Sequence, residues 1–126
     1  MSTILIVEDN EKNMKLVRDV LRVKGYDTLE AGTAEEGIRL ALEHRPDLVL
    51  MDIHLPGMNG IEARGVLRAE PVTSKIPVIA VTASVMQQDR KQITEAGFDA
   101  YVGKPIALAE FLDAVNVQLA RKPAGA

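Results

Sequence analysis

The sequence has no cysteine and no tryptophan, and only two tyrosines and two phenylalanines among its 126 residues. The missing cysteine excludes disulfides and thiolate metal sites, and permits a reducing compartment. So few aromatics argue against a flavin carrier, which needs rings to sandwich the isoalloxazine. Such a carrier also needs a hydroxyl- and glycine-rich phosphate loop where this chain has Glu8-Asp9-Asn10. Long hydrophobic runs are absent too, since no segment approaches the ~20 apolar residues a membrane helix requires. No signal peptide is expected, because Glu8, Asp9, Glu11 and Lys12 interrupt the first apolar run almost at once. Charge of one sign is in only slight excess: 15 basic against 18 acidic residues give a formal −3 and a pI near 5.4. That balance provides no general pull toward nucleic acid or an anionic membrane. The expected location is the cytoplasm, with neither nucleic-acid binding nor membrane insertion.

What is there is an ordinary globular composition, 47% apolar and 26% charged, in a length that suits one domain. Short apolar runs alternate with longer helical patterns. Thr3 to Val7 is β-branched and continuous, the mark of a strand covered on both faces. Asp47 to Met51 and Val78 to Val81 read the same way. Tyr26 to Ala31 and Asp99 to Val102 are more polar and suit strands nearer the sheet edges. A first helix is expected from Glu11 to Lys24, with Gly25 as a left-handed cap. A second starts after Thr33, with Glu36 completing a capping box, and ends before Pro46. Its buried face is expected at Ala34, Ile38, Ala41 and Leu42. A third, Gly60 to Ala69, carries Gly65 in its interior, which costs roughly 1 kcal/mol against alanine. A fourth, Val85 to Ala96, has a thin apolar stripe of Met86, Ile93 and Ala96. A fifth, Leu108 to Arg121, is expected to bury Leu108, Phe111, Leu112, Val115 and Leu119. Residues 1–122 then form the domain and 123–126 a short tail.

This βα alternation predicts a doubly wound α/β fold of five parallel strands, with right-handed crossovers and helices on both faces. Such sheets bind ligands beyond the carboxyl ends of their strands, where the strand order switches. The chemistry-bearing residues fall there: Glu8-Asp9 after the first strand, Asp52 after the third, Thr82 after the fourth, Lys104-Pro105 after the fifth. If the first and third strands are neighbours, three carboxylates converge. Two unit charges ~4 Å apart repel by about 4 kcal/mol at an effective dielectric near 20. Such a cluster needs protonation, a basic partner or a cation, and its oxygen-only ligands favour magnesium over zinc. A carboxylate nucleophile, a metal, an ammonium (Lys104) and a hydroxyl (Thr82) are the parts that phosphoryl transfer to an aspartate requires. Ala83 leaves room for the incoming group.

Four segments carry a family resemblance: Ile6-Val7-Glu8-Asp9-Asn10, Leu50 through Gly60 with Asp52-Ile53-His54-Leu55-Pro56-Gly57 at its centre, Val81-Thr82-Ala83, and Lys104-Pro105. In this order and spacing they resemble the CheY-like receiver domains of two-component response regulators, over essentially residues 3 to 121. The stretch from Glu8 to Leu21 is closest to the single-domain cell-division regulators of the DivK type. The resemblance implies a flavodoxin-like sheet of order 2-1-3-4-5 with five helices. It implies Asp52 as phosphoacceptor, and magnesium (manganese able to substitute) held by Glu8, Asp9, Asp52 and the His54 backbone carbonyl. It also implies Thr82 and Lys104 on the phosphoryl oxygens, Thr82 and Tyr101 as switch residues, and a cis peptide at Pro105. His54 and Ser84 stand where receivers tune the lifetime of the acyl phosphate. Implied partners are a sensor histidine kinase or histidine phosphotransferase, and a downstream protein at the face of the fourth helix, fifth strand and fifth helix. Since few residues follow the fifth helix, no output domain is expected. The chain is read as a switch that catalyses only its own phosphorylation and dephosphorylation, not as an enzyme acting on others.

Plainer readings stand beside these. Glu8 and Asp9 would serve as caps of the first helix, Asp52 as a turn residue, and Lys104 as a solvated lysine. Tyr101 would serve as a half-buried edge aromatic and Pro105 as an ordinary trans proline. His44 and His54 lack ligand spacing and read as surface residues. An aspartyl phosphatase of the haloacid-dehalogenase type shares the strand-end aspartate, metal and lysine. It requires a second aspartate two residues after the nucleophile, where this chain has His54.

Overall fold

The computed structural model describes residues 2–55, 57–82, 91, 93–103 and 106–121. Its strands are β1 (Thr3–Val7), β2 (Asp27–Ala31), β3 (Leu48–Asp52), β4 (Val78–Thr82) and β5 (Ala100–Gly103). They form one sheet of order β2-β1-β3-β4-β5, with every pairing parallel. The three β-rich runs occupy the middle and the two polar ones the edges, because only an edge strand tolerates a partly solvated face. β3 starts and ends one residue later than its hydrophobicity suggests, so Asp52 is the last residue of the strand rather than the first after it.

Helices cover both faces. α1 (Glu11–Val23) and the C-terminal helix (Leu108–Arg121) pack on one side, where Ile4 and Ile6 meet Met14, Val17, Leu21, Phe111 and Val115. α2 (Ala34–His44) and α3 (Gly60–Ala69) pack on the other, where Leu5 and Val7 meet Ala34, Ala41, Ala63 and Leu67. Alternation along β1 thus divides the core in two. Of the expected fourth helix, residues 91 and 93–95 are described and helical, and Ile93 is buried in the second core; Met86 lies outside the described residues.

Local signals set the helix ends. Gly25 adopts φ +89 after α1, the left-handed cap that its lack of a Cβ permits. Thr33 caps α2, accepting the Glu36 N–H at 3.1 Å. The expected box there closes only halfway, because the Glu36 carboxylate turns to Arg39 at 2.6 Å. A complete box forms instead at α3, where Asn59 and Glu62 each accept the other's backbone N–H at 2.9 and 3.2 Å. Two expected core residues are corrected. Leu42 is 37% and Leu108 44% exposed. In α2 the buried face runs through Ala34, Gly37 and Ala41, which turns Leu42 to the rim, and Leu108 lies in the first turn ahead of the first fully buried position, Phe111.

Candidate phosphoacceptor site

β1 and β3 are adjacent at the switch point, and Val7 pairs with Met51, so the residues that follow each strand emerge together. Glu8, Asp9 and Asp52 each bring a carboxylate oxygen within 4.8 Å of the others. Glu8 is 6% and Asp52 3% exposed, whereas Asp9 faces solvent. Two of the three charges are therefore largely withdrawn from water, where each costs free energy unless compensated. The donor set is oxygen only, the kind that suits a hard divalent cation.

Backbone amides hold this cluster. The His54 N–H donates to Asp52 Oδ1 at 2.9 Å, fixing the rotation of that carboxylate. The Asn10 N–H donates to Glu8 Oε2 at 3.3 Å, and the Glu8 N–H donates to the Ala31 carbonyl at 3.0 Å. The N-cap of α1 is Asn10, whose side chain accepts the Asn13 N–H at 3.1 Å. The capping role open to Glu8 and Asp9 is thus taken by their neighbour, and both carboxylates belong to the cleft.

Thr82 closes β4 at 1% exposure. Its Oγ1 lies 3.4 Å from His54 Nε2. This contact was not legible in the sequence: His54 is exposed, as expected, yet its ring leans across the cleft to the hydroxyl. Beside the pair a cavity of about 420 Å³ is lined by Ile53, His54, Leu55, Asn59, Thr82 and Ile93, among others. Tyr101 lies in β5 opposite Ala80 and is 38% exposed. His44 is exposed at the end of α2 and is not part of the cluster. Lys104, Pro105, Ala83 and Ser84 lie outside the described residues.

The loop carrying His54 is anchored by α3. The Gly60 N–H donates to the Ile53 carbonyl at 3.0 Å. The helix start is pressed so close to the strand end that an added Cβ would meet the Asp52 carbonyl oxygen at 2.6 Å.

Comparison with known proteins assigns this arrangement. The family model for the response regulator receiver domain matches residues 4–116. Over 117 residues the chain is 44% identical to the polar-differentiation response regulator DivK of Brucella anthropi, covering 93% of this chain and 95% of the relative, and it matches that of Brucella ovis equally well. Among solved structures, the receiver domain of a Pseudomonas aeruginosa sensor histidine kinase superposes with a TM-score of 0.88 at 33% identity, over 94% of this chain and 98% of its own. That structure is described with a magnesium ion coordinated in its active-site cleft. A CheY-like receiver domain protein of Methanospirillum hungatei superposes with a TM-score of 0.86 at 29% identity, over 97% and 96% of the two chains. Among the described residues no helix is long and apolar enough to cross a membrane. With the 2-1-3-4-5 sheet and the carboxylates gathered at its switch point, the chain belongs to the receiver-domain family of two-component response regulators, signalling switches that include the DivK relatives.

Proposed function

We propose that this receiver accepts a phosphoryl group on Asp52 from a histidine kinase or histidine phosphotransferase and signals through protein contacts that depend on that modification. The observation that carries the reading is the trio of Glu8, Asp9 and Asp52 within 4.8 Å, two of them buried. Glu8, Asp9, Asp52 and the His54 backbone carbonyl would hold magnesium, with manganese able to substitute. When bound, the ion neutralises charge on the phosphoryl oxygens. The Asp52 carboxylate, steadied by the His54 N–H, forms a new oxygen–phosphorus bond as the donor's nitrogen–phosphorus bond breaks and the imidazole leaves with the electron pair. Thr82 and Lys104 bind the phosphoryl oxygens. Thr82 and Tyr101 then act as the switch, and the face of the fourth helix, β5 and the C-terminal helix meets the downstream partner. The receiver spans residues 1–122, with 123–126 a tail, works in the cytoplasm, and catalyses only its own phosphorylation and dephosphorylation.

The test is labelling by acetyl phosphate with magnesium. The native chain gains one phosphoryl group. Asp52→Asn folds with an unchanged circular dichroism spectrum and gains none. Persistent labelling of Asp52→Asn would move the acceptor elsewhere, and labelling without any divalent ion would remove the role of the acidic trio.

A further inference from the structure

One turn into α3, Arg64 is fully buried. Its Nε donates to the Gly97 carbonyl at 3.0 Å, and Arg68 Nη2 donates to the same oxygen at 2.9 Å. Arg64 Nη2 approaches Asp99 Oδ2 at 3.7 Å, an ion pair too long for a hydrogen bond, and Nη1 is buried with no hydrogen-bond partner among the described residues. From the opposite face of the sheet, the buried Gln118 of the C-terminal helix reaches the Asp99 carbonyl with Nε2 at 3.4 Å. The segment between them is itself tied to β4: the Asp99 N–H donates to the Val78 carbonyl at 2.9 Å, and the Val78 N–H donates to Asp99 Oδ2 at 2.8 Å. Gly97 sits at φ +91, and a Cβ there would press on the Arg68 guanidinium at 3.0–3.1 Å.

A buried guanidinium using its donors this incompletely is costly. Desolvation, and secondarily the charge of Arg68, push its pKa down, with Asp99 only partly opposing them. Two long contacts around one turn, Arg64 to Asp99 at 3.7 Å and Gln118 to Asp99 at 3.4 Å, describe a clamp with room to tighten. A shift of under an ångström would turn the Arg64–Asp99 pair into a charge-assisted hydrogen bond, roughly twice as strong as a neutral one. The turn also stands between the two ends that a switch must connect. α3 carries Arg64 and, at its first residue, Gly60 bonded to the acceptor loop. Residues 97–99 lead from the helical residues 93–95 into β5, and Gln118 belongs to the C-terminal helix.

We propose that the 97–99 turn has a loose and a tight arrangement, and that Arg64 is the positioning residue through which the acceptor loop biases it. The inference rests on the receiver reading above. Beryllofluoride with magnesium, a stable mimic of the phosphoryl group, favours one arrangement, and the coupling acts equally in reverse.

The experiment measures beryllofluoride affinity at saturating magnesium in the native chain, Arg64→Met and Arg68→Met, with Val17→Ala in α1 as a core-weakened control away from the clamp. Millisecond relaxation dispersion is recorded on the amides of Gly97, Phe98 and Asp99. Arg64→Met shifts the affinity by about threefold to tenfold and alters the exchange at those amides. Arg68→Met, which keeps the buried arginine, shifts affinity in the same direction by less, and serves alone if Arg64→Met does not fold. Val17→Ala leaves affinity unchanged. Native binding with unaltered affinity in both arginine variants would overturn the clamp and leave the receiver intact. A native chain that binds no beryllofluoride would overturn the receiver reading and the clamp with it.

Discussion

At Gly60 a methyl group would lie 2.6 Å from the Asp52 carbonyl oxygen and 2.8 Å from Ile53 Cα, both backbone atoms that cannot swing aside. Gly60→Ala therefore forces α3 away from β3 and moves the loop whose His54 N–H orients the Asp52 carboxylate. The expected outcome is a loss of about 1–3 kcal/mol in urea unfolding, the usual cost of overpacking, together with slower labelling by acetyl phosphate in the fraction that stays folded. Unchanged stability would mean that the helix start is looser than these distances indicate. At this scale the sequence told a good deal about the cleft and little about what supports it. Glu8, Asp9, Asp52 and Thr82 were recognisable because they stand at strand ends, where polar residues interrupt apolar runs. The His54–Thr82 approach was not, since it depends on how a loop returns over a strand 28 residues further on. Arg64 and Gln118 were missed for another reason: a polar side chain on a helix reads as solvated unless its distant backbone partner, here in residues 97–99, is known.

Two helical glycines separate helix propensity from packing at the scale of the element. Gly65 faces open space, with nothing within 4 Å of an added Cβ, whereas a Cβ on Gly37 would meet Val7 Cγ2 at 2.7 Å. Alanine is favoured over glycine by about 0.8–1 kcal/mol in a helix interior. Gly65→Ala should realise that gain as a higher thermal midpoint. Gly37→Ala should lose stability, because overpacking against β1 costs about 1–3 kcal/mol and outweighs the propensity gain. Truncating Val7 makes room, so the double variant Gly37→Ala, Val7→Ala should be more stable than the two single effects sum to. A stabilised Gly37→Ala would show that α2 lies farther from the sheet. The elements themselves were legible because caps, prolines and apolar periods agreed, and the misses have local causes. Leu42 and Leu108 satisfied a helical spacing, but spacing fixes a relative face and not which edge of that face the neighbouring helix leaves uncovered. Glu36 fitted a capping box, but Arg39, one turn on, offered its carboxylate a charged partner.

Across the whole molecule, two hydrophobic cores clasp a sheet whose central carboxyl end carries a concentrated negative charge. Two unit charges at 4.8 Å repel by about 3 kcal/mol at an effective dielectric of 20. In the unfolded chain Asp52 lies more than forty residues from Glu8 and Asp9, which relieves its repulsion with them, so the cluster lowers the stability of the folded state. Anything that neutralises it should raise stability globally and not only rearrange the loop. A divalent ion that binds only the folded chain adds RT ln(1 + [L]/Kd), about 1.4 kcal/mol at tenfold over the dissociation constant. Thermal melts should therefore rise with magnesium and fall back in chelator. Asp9→Asn tests the same term from inside: Asp9 is solvent-facing, so its change leaves both cores untouched. In chelator this variant should melt higher than the native chain, because one like charge is gone, and most of the magnesium-dependent increment should disappear with the lost ligand. The two effects have opposite signs, so the native and variant melting curves should cross as magnesium is added. A variant that melts lower in chelator, or keeps the full magnesium increment, would mean that Asp9 neither burdens the fold nor helps to hold the ion.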